Sequence, residues 1–219
     1  MLQPINDSVK IEILHKYSSW DKLKRVIAWC LRYSKNCSTS VEKREKSFLT
    51  TAELNNAEKS IVRCVQKIHF NSELSLLSAG KQLSSNSRIL PLTPFIDELG
   101  ILRLGGRLKN TKPPEEQKHP LLLPKNDHVT DLIINHYHLT LLHAGPGLLQ
   151  ATIREKYWIL FARDAVRRVV RKCVPCFRNR PKLAEQIMGN LPESRVCPSM
   201  VFQNTGLDFA GPFLIRSSK

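Results

Sequence analysis

A mainly α-helical chain with a small β-hairpin and a helical metal-binding domain is predicted by three observations. Apolar residues recur at helical spacing, two extended runs are broken by glycines, and four metal donors stand at fixed spacing. With 219 residues, 42% of them apolar and 7% aromatic, there is room for one or two domains with an ordinary core. The formal charge of +15 attracts polyanions, which makes nucleic acid the first partner to expect and an anionic membrane a weak second. No run approaches the roughly 20 apolar residues of a spanning helix, and no N-terminal basic, apolar and small pattern marks a signal peptide. Six cysteines without regular spacing point to a reducing compartment, hence an intracellular protein.

Residues 19–33 read as an amphipathic helix with Asp21 in its first turn. Leu23, Val26, Ile27, Cys30 and Leu31 form its apolar stripe, and Lys22, Lys24, Arg25 and Arg32 form a solvated opposite face. Cys30 and Cys37 read as ordinary thiols, and residues 36–47 as a loop. A second long helix opens at Thr50, which has capping-box spacing to Glu53, and continues through Leu54, Ala57, Ile61, Val65 and Ile68. Cys64 and His69 have no second donor pair at ligand spacing and read as packing residues. The serine-rich residues 71–88 read as a loop with a short helix near 74–77.

Residues 94–107 read as a small hairpin or meander; Gly105-Gly106-Arg107 lacks the surrounding pattern of a phosphate loop. Leu121-Leu122-Leu123 reads as an extended segment ended by Pro124. A helix over 128–138 stops before Gly145-Pro146-Gly147. Leu149, Ile153 and Tyr157 then line one helix face, and a further helix from Ala162 puts Val166, Val169, Val170 and Cys173 on one stripe. The expected organisation is a helical upstream region with a serine-rich linker over 1–90, a small β or extended segment over 91–124, a metal-binding helical domain over 125–182, and a C-terminal segment over 183–219.

His138 and His143 are followed, after 29 residues, by Cys173-Val-Pro-Cys176. A Cys-x2-Cys pair turns both sulfurs to one point, and His-x4-His is an ordinary separation for a histidine pair, so the four donors predict a zinc ion. Four protein donors close the tetrahedron, which makes the site structural: no position is left for water or substrate. His136 is the alternative first ligand, but His136-x6-His143 is longer than usual. His119 and His128 read as surface or supporting residues.

Between Arg154 and Lys182 ten lysines and arginines stand against Glu155 and Asp164, a surplus of eight charges beside the metal. Arg163, Arg167, Arg168, Arg171, Lys172, Arg178 and Arg180 are the expected nucleic-acid contacts, made to phosphates and indifferent to sequence. Base stacking is not expected from this run.

The runs Leu132-Ile133-Ile134-Asn135-His136-Tyr137-His138, Leu142-His143-Ala144-Gly145-Pro146, Tyr157-Trp158 and Cys173-Val174-Pro175-Cys176 resemble the N-terminal zinc-binding domain of retroelement integrases, in the version of the BEL/Pao retrotransposons. Trp29-Cys30-Leu31-Arg32, Phe95-Ile96-Asp97-Glu98, Gly105-Gly106-Arg107 and Glu115-Glu116-Gln117-Lys118-His119-Pro120 are similar to upstream segments of their polyproteins, so the resemblance spans nearly the whole chain.

At the C-terminal end, Gly206-Leu207-Asp208-Phe209-Ala210-Gly211-Pro212, within residues 201–213, resembles the first strand of the integrase catalytic core, a ribonuclease H-like fold. The resemblance implies that Asp208 is the first of three carboxylates holding two magnesium or manganese ions in a complete core. Only 11 residues follow Asp208, which leaves no place for the other two carboxylates. The chain therefore reads as a fragment of an integrase, inactive alone, that binds DNA and self-associates in the complete protein and works in the nucleus. The alternative is a non-enzymatic zinc module, a relic or domesticated gene, that binds nucleic acid or protein.

Overall fold

The computed structural model describes residues 7–106, 115–179 and 187–211 and divides into two compact units, Met1–Arg180 and Pro181–Lys219. The first unit opens with helices α1 (Asp7–Lys16), α2 (Trp20–Cys37), α3 (Thr51–His69) and α4 (Asn71–Ser78). Ser19 caps α2 by accepting from the Lys22 amide. The expected capping box starts α3: the Thr50 side chain accepts from the Glu53 amide, and the Glu53 carboxylate accepts from the Thr50 amide. α2 packs chiefly on α3, burying Trp20, Leu23 and Ala28 on the first helix and Ala57, Ile61, Val62 and Val65 on the second.

The far end of α2 departs from the expected stripe. The helix continues to Cys37, Cys30 and Leu31 are exposed, and Arg32, expected on the solvated face, is 4% exposed. By that turn the neighbour is no longer an apolar helix but the polar segment leading into α3. The Arg32 guanidinium donates to both Glu53 oxygens and to the carbonyls of Ser47 and Phe48, four acceptors that offset its desolvation. Glu53 is held down to about 2, first by Arg32 and then by the Thr50 amide. Ile68, expected on the stripe of α3, is likewise exposed.

A four-stranded sheet follows, ordered β1 (Phe95–Ile96), β2 (Leu102–Arg103), β3 (Leu121–Leu123) and β4 (Tyr157–Ile159). β1 and β2 make the expected antiparallel hairpin. Its turn is tied by Asp97 Oδ1, which accepts from the amides of Leu99 (3.0 Å) and Ile101 (2.8 Å), and Gly100 supplies the left-handed residue at φ 71°. A short helix α5 (Glu115–Lys118) precedes β3. β3 pairs antiparallel with β2 at Arg103 and Leu121, and parallel with β4 over Leu121–Tyr157, Leu122–Trp158 and Leu123–Ile159.

β4 corrects the expectation that Tyr157 continues a helix face. The helix α7 (Pro146–Arg154) stops at the turn through Glu155 and Lys156, and Tyr-Trp-Ile, all good strand formers, bond across to β3 instead. The remaining helices of this unit are α6 (His128–Thr140), α8 (Ala162–Lys172) and α9 (Val174–Asn179).

Successive residues of β3 face opposite ways, as strand geometry demands. Leu121 and Leu123 join a core with Leu14, Trp20, Ile61, Ile133, Leu149 and Val166, whereas Leu122 joins Phe70, Ile89 and Leu102 in a second cluster. The upstream helices and the helices after β3 thus share one core.

Two buried polar side chains tie α3 to the sheet. Gln66, with no exposed surface, donates from Nε2 to the carbonyls of Leu102 and Leu122 (2.8 Å each) and accepts at Oε1 from the Leu102 amide (2.7 Å). It fills in hydrogen bonds where the β2–β3 ladder is short. Glu58, 4% exposed, accepts from the Tyr157 hydroxyl (2.6 Å) and pairs with Lys156 Nζ (2.5 Å). Nearby, burial and the Glu58 and Glu155 charges push the Tyr137 hydroxyl up to about 12.

In the second unit residues 187–211 are described. They hold one short helix, α10 (Glu193–Val196), and every one of them is exposed. The strand expected over residues 201–213 is not formed among the described residues: Val201 and Phe202 turn, and residues 205–211 have no regular structure. A lone strand has no ladder to satisfy its amides and carbonyls, and none is offered within the described part of this unit. Pro212 and Phe213 lie outside the described residues, as does Arg107 of the hairpin run.

Candidate metal centre

Asp127 caps α6 by accepting from the Val129 amide at 2.8 Å, and its other oxygen pairs with His69 at 2.9 Å. Val129, Leu132, Ile133 and Ile134 anchor the helix in the core, and the same packing carries His138, fully buried, to the last turn. Beyond α6 the chain reverses through Leu142 and His143, both left-handed at φ 51° and 63°, while the His143 amide donates to the His138 carbonyl at 2.8 Å. Two non-glycine residues in that region cost on the order of 1–2 kcal/mol each, a strain that must be offset by what the turn holds. Gly145 and Pro146 then start α7.

α8 buries Ala162, Ala165 and Val166 and delivers Cys173 at its C-terminal cap; α9 presents Cys176 one turn later. The donor atoms of His138, His143, Cys173 and Cys176 all lie within 4.8 Å of one another. His138 Nε2 stands 3.2 Å from His143 Nδ1 and 3.3 Å from Cys176 Sγ; His143 Nδ1 stands 3.2 Å from Cys173 Sγ and 3.8 Å from Cys176 Sγ. A tetrahedron with zinc–nitrogen and zinc–sulfur bonds of about 2.0–2.3 Å has edges of roughly 3.3–3.8 Å, so the spacing fits the ion.

The surroundings prepare His138 as well. Its Nδ1 lies 3.2 Å from the Ala144 carbonyl, a bond that puts the proton on Nδ1 and leaves the Nε2 lone pair for the metal. Burial first, then the neighbouring His143, lowers its proton affinity, which favours the neutral imidazole that binds metal. Two thiolates and two imidazoles suit zinc, and four donors close its coordination, so this is a structural zinc-binding site.

The choice between His136 and His138 is settled by helix geometry. Two residues on a helix are about 200° apart, and His136 Nδ1 faces α2 instead, 3.1 Å from Asp21 Oδ2. His119 Nδ1 meets the Leu104 carbonyl and His128 Nε2 the Tyr17 carbonyl, both at supporting positions. Cys64 packs against the core.

The expected basic contacts divide. Arg163, Arg167 and Arg171 are exposed at i, i+4 and i+8 along α8, opposite its buried face, and Lys172 and Arg178 are exposed beyond them. Arg168 is a brace: it donates to Asn126 Oδ1 (2.7 Å), the Lys125 carbonyl (3.2 Å) and Asp131 Oδ1, locking α8 to the start of α6. Arg180 lies outside the described residues. Asp164 pairs with Lys125 at 2.8 Å, which holds its carboxyl below the ordinary value. Asp208 is exposed and accepts from the adjacent Phe209 amide; among the described residues it joins no cluster of metal donors.

Spacing alone could not find the Ala144 carbonyl, Gln66 or Glu58, because each acts through a partner distant in sequence or through the backbone. Residues 125–182 match the family model described as the integrase zinc binding domain. No curated protein and no solved structure matches the chain. Residues 125–182 are therefore a zinc-binding module similar to the one associated with integrases.

Proposed function

We propose that the chain is part of a BEL/Pao-type retrotransposon integrase, whose zinc module binds DNA and takes part in assembly for integration. The observation that carries this reading is the closed His138, His143, Cys173 and Cys176 site inside a segment that matches the integrase zinc-binding model. Beside it, the exposed Arg163, Arg167, Arg171, Lys172 and Arg178 supply phosphate contacts. Zinc keeps α6 and α9 together and takes no part in bond making. Asp208 is the first metal-binding carboxylate of a core that needs two more, with magnesium or manganese, so strand transfer belongs to the complete integrase in the nucleus. Self-association belongs to that complete protein too.

A non-enzymatic zinc module that binds nucleic acid or protein is the second reading, favoured by the exposure of Asp208 away from any described donor cluster. The test is duplex DNA binding by the zinc-loaded chain across a salt series. Affinity should be independent of sequence and fall steeply with salt, and replacing Arg167, Arg171, Lys172 and Arg178 with glutamine should reduce the slope by about 0.9 for each side chain that neutralises a phosphate. An unchanged slope would show that this face does not hold DNA. Strand transfer by the chain alone, abolished by Asp208→Asn, would show that this chain carries the further carboxylates itself.

A further inference from the structure

A cleft of about 300 Å³ lies where the segment after α4 meets β4 and the start of α8, and no zinc donor lines it. Arg88, Arg154 and Arg163 line it, and no carboxylate does. All three arginines are exposed, and the Arg88 and Arg163 side chains make no hydrogen bond with any described residue, although the Arg163 charge acts on the neighbouring Asp164. Two aromatic rings complete the wall. Trp158 carries the Arg154 guanidinium 5.1 Å from its ring centre, and Phe161, 60% exposed, has Lys125 Nζ 5.4 Å from its ring centre on one side. Phe161 is also held left-handed at φ 52° and ψ 43°, a costly conformation for a bulky side chain that packs little of its own surface. The adjoining larger cleft shares Arg88 and Phe161 but includes Glu73 and Asp164, so the uniformly cationic part is confined to the arginine side.

We infer that this cleft binds one nucleotide of an unpaired nucleic-acid strand, with the base against Phe161 and its flanking phosphates on Arg88 and Arg163, while Arg154 stays on the face of Trp158 and adds its charge. Each component has its reason. Stacking on an aromatic face tolerates any base, and arginines match phosphate geometry. The volume lies at the small end of ligand sites, enough for a single unit of a strand. A duplex hides its bases in the stack, so only an end or an opened strand can use the aromatic wall. Two aromatics of the basic run are thus brought to the same face as arginines from both halves of the chain. This assignment rests on the nucleic-acid reading above and adds a preference for unpaired ends that α8 alone does not supply.

The test uses the full zinc-loaded chain and dye-labelled oligothymidine, with a blunt duplex of equal length, read by fluorescence anisotropy. Phe161→Ala should weaken oligothymidine binding by about five- to a hundredfold and leave the duplex nearly unchanged, while Phe161→Tyr retains the single-strand affinity. Arg88→Gln, on an exposed segment, should lower the single-strand salt slope by about 0.7 and keeps the test open if the Phe161 variants lose zinc or helix content. Oligothymidine binding unchanged by both Phe161→Ala and Arg88→Gln overturns the inference, as does a polyglutamate peptide that competes equally well. Arg171→Gln with Lys172→Gln separates the two readings: it should weaken duplex binding and spare the single strand. Absence of that duplex effect with the Phe161 effect intact would sink the α8 interface and leave the cleft.

Discussion

The two ends of the first unit are held by different means. At one end, four donors on α6, the turn after it, and the α8–α9 junction converge on one ion. At the other, Gln66, Glu58 and Arg32 each place a polar group in the interior and satisfy it with partners from other elements. The metal end concentrates its stabilisation in one removable component, whereas the polar end spreads it over hydrogen bonds whose loss leaves orphaned groups. Damage to the first should be large, local and reversible; damage to the second should be smaller and distributed.

Removal of zinc is the largest test of that contrast. Structural zinc contributes on the order of 10–16 kcal/mol in small domains. Chelation, or Cys173→Ser or Cys176→Ser, should therefore release residues 138–179 to rapid amide exchange while α2 and α3 stay protected. Exchange followed by mass spectrometry, with metal content measured alongside, checks it; uniform loss of protection would mean that the ion holds the whole unit. Zinc should restore the chelated protein.

Gln66→Leu attacks the other end. Three buried backbone groups lose their partner at once, and a loss of about 3 kcal/mol in urea unfolding is expected, with zinc content unchanged. A cost below about 0.5 kcal/mol would show that the β2–β3 gap rearranges without it. Tyr157→Phe removes a single donor from Glu58, which keeps Lys156, so the cost should be nearer ~1 kcal/mol.

The pH profile sharpens the comparison further. Because Glu53 is depressed to about 2 in the folded chain, its bond to Arg32 contributes fully above the ordinary carboxylate value near 4.5 and is lost as pH falls through about 2. Glu53→Gln should flatten the acid unfolding curve between those values. An unaltered curve would mean that the Arg32 pair adds nothing to folding. The smallest effect should come from His136→Ala, which gives up the half-exposed pairing with Asp21 and an edge contact with the Tyr137 ring: zinc stoichiometry is retained, and the cost stays within ~1 kcal/mol. His138→Ala should abolish stoichiometric zinc.

What the sequence makes legible follows the same division. The zinc donors are legible because their chemistry is carried by residue type and short spacing, and the Thr50–Glu53 box because capping is local. Tyr157 is misplaced by periodicity because it follows Ile153 by four residues, a spacing a helix and a turn into a strand both permit; pairing with Leu121 decides it, and that is a distant event. Arg32 reads as solvated because nothing local announces that Ser47, Phe48 and Glu53 will surround it. Arg168 shares the charge of its neighbours but not their exposure to the same solvent, since only α6 shows what it grips.

The parallel pairing of β3 with β4 bears on how such a module travels. The segment that matches the family begins at Lys125, but the strand on which its own β4 leans ends at Leu123, outside the match. A piece excised at the family boundary would carry β4 with a bare edge and Leu149 and Ile153 without their upstream cover. The recurring unit of sequence and the unit that stands alone mechanically are therefore different lengths of chain. A graft of the zinc site into another protein has to bring β3 with it, or supply a strand in its place.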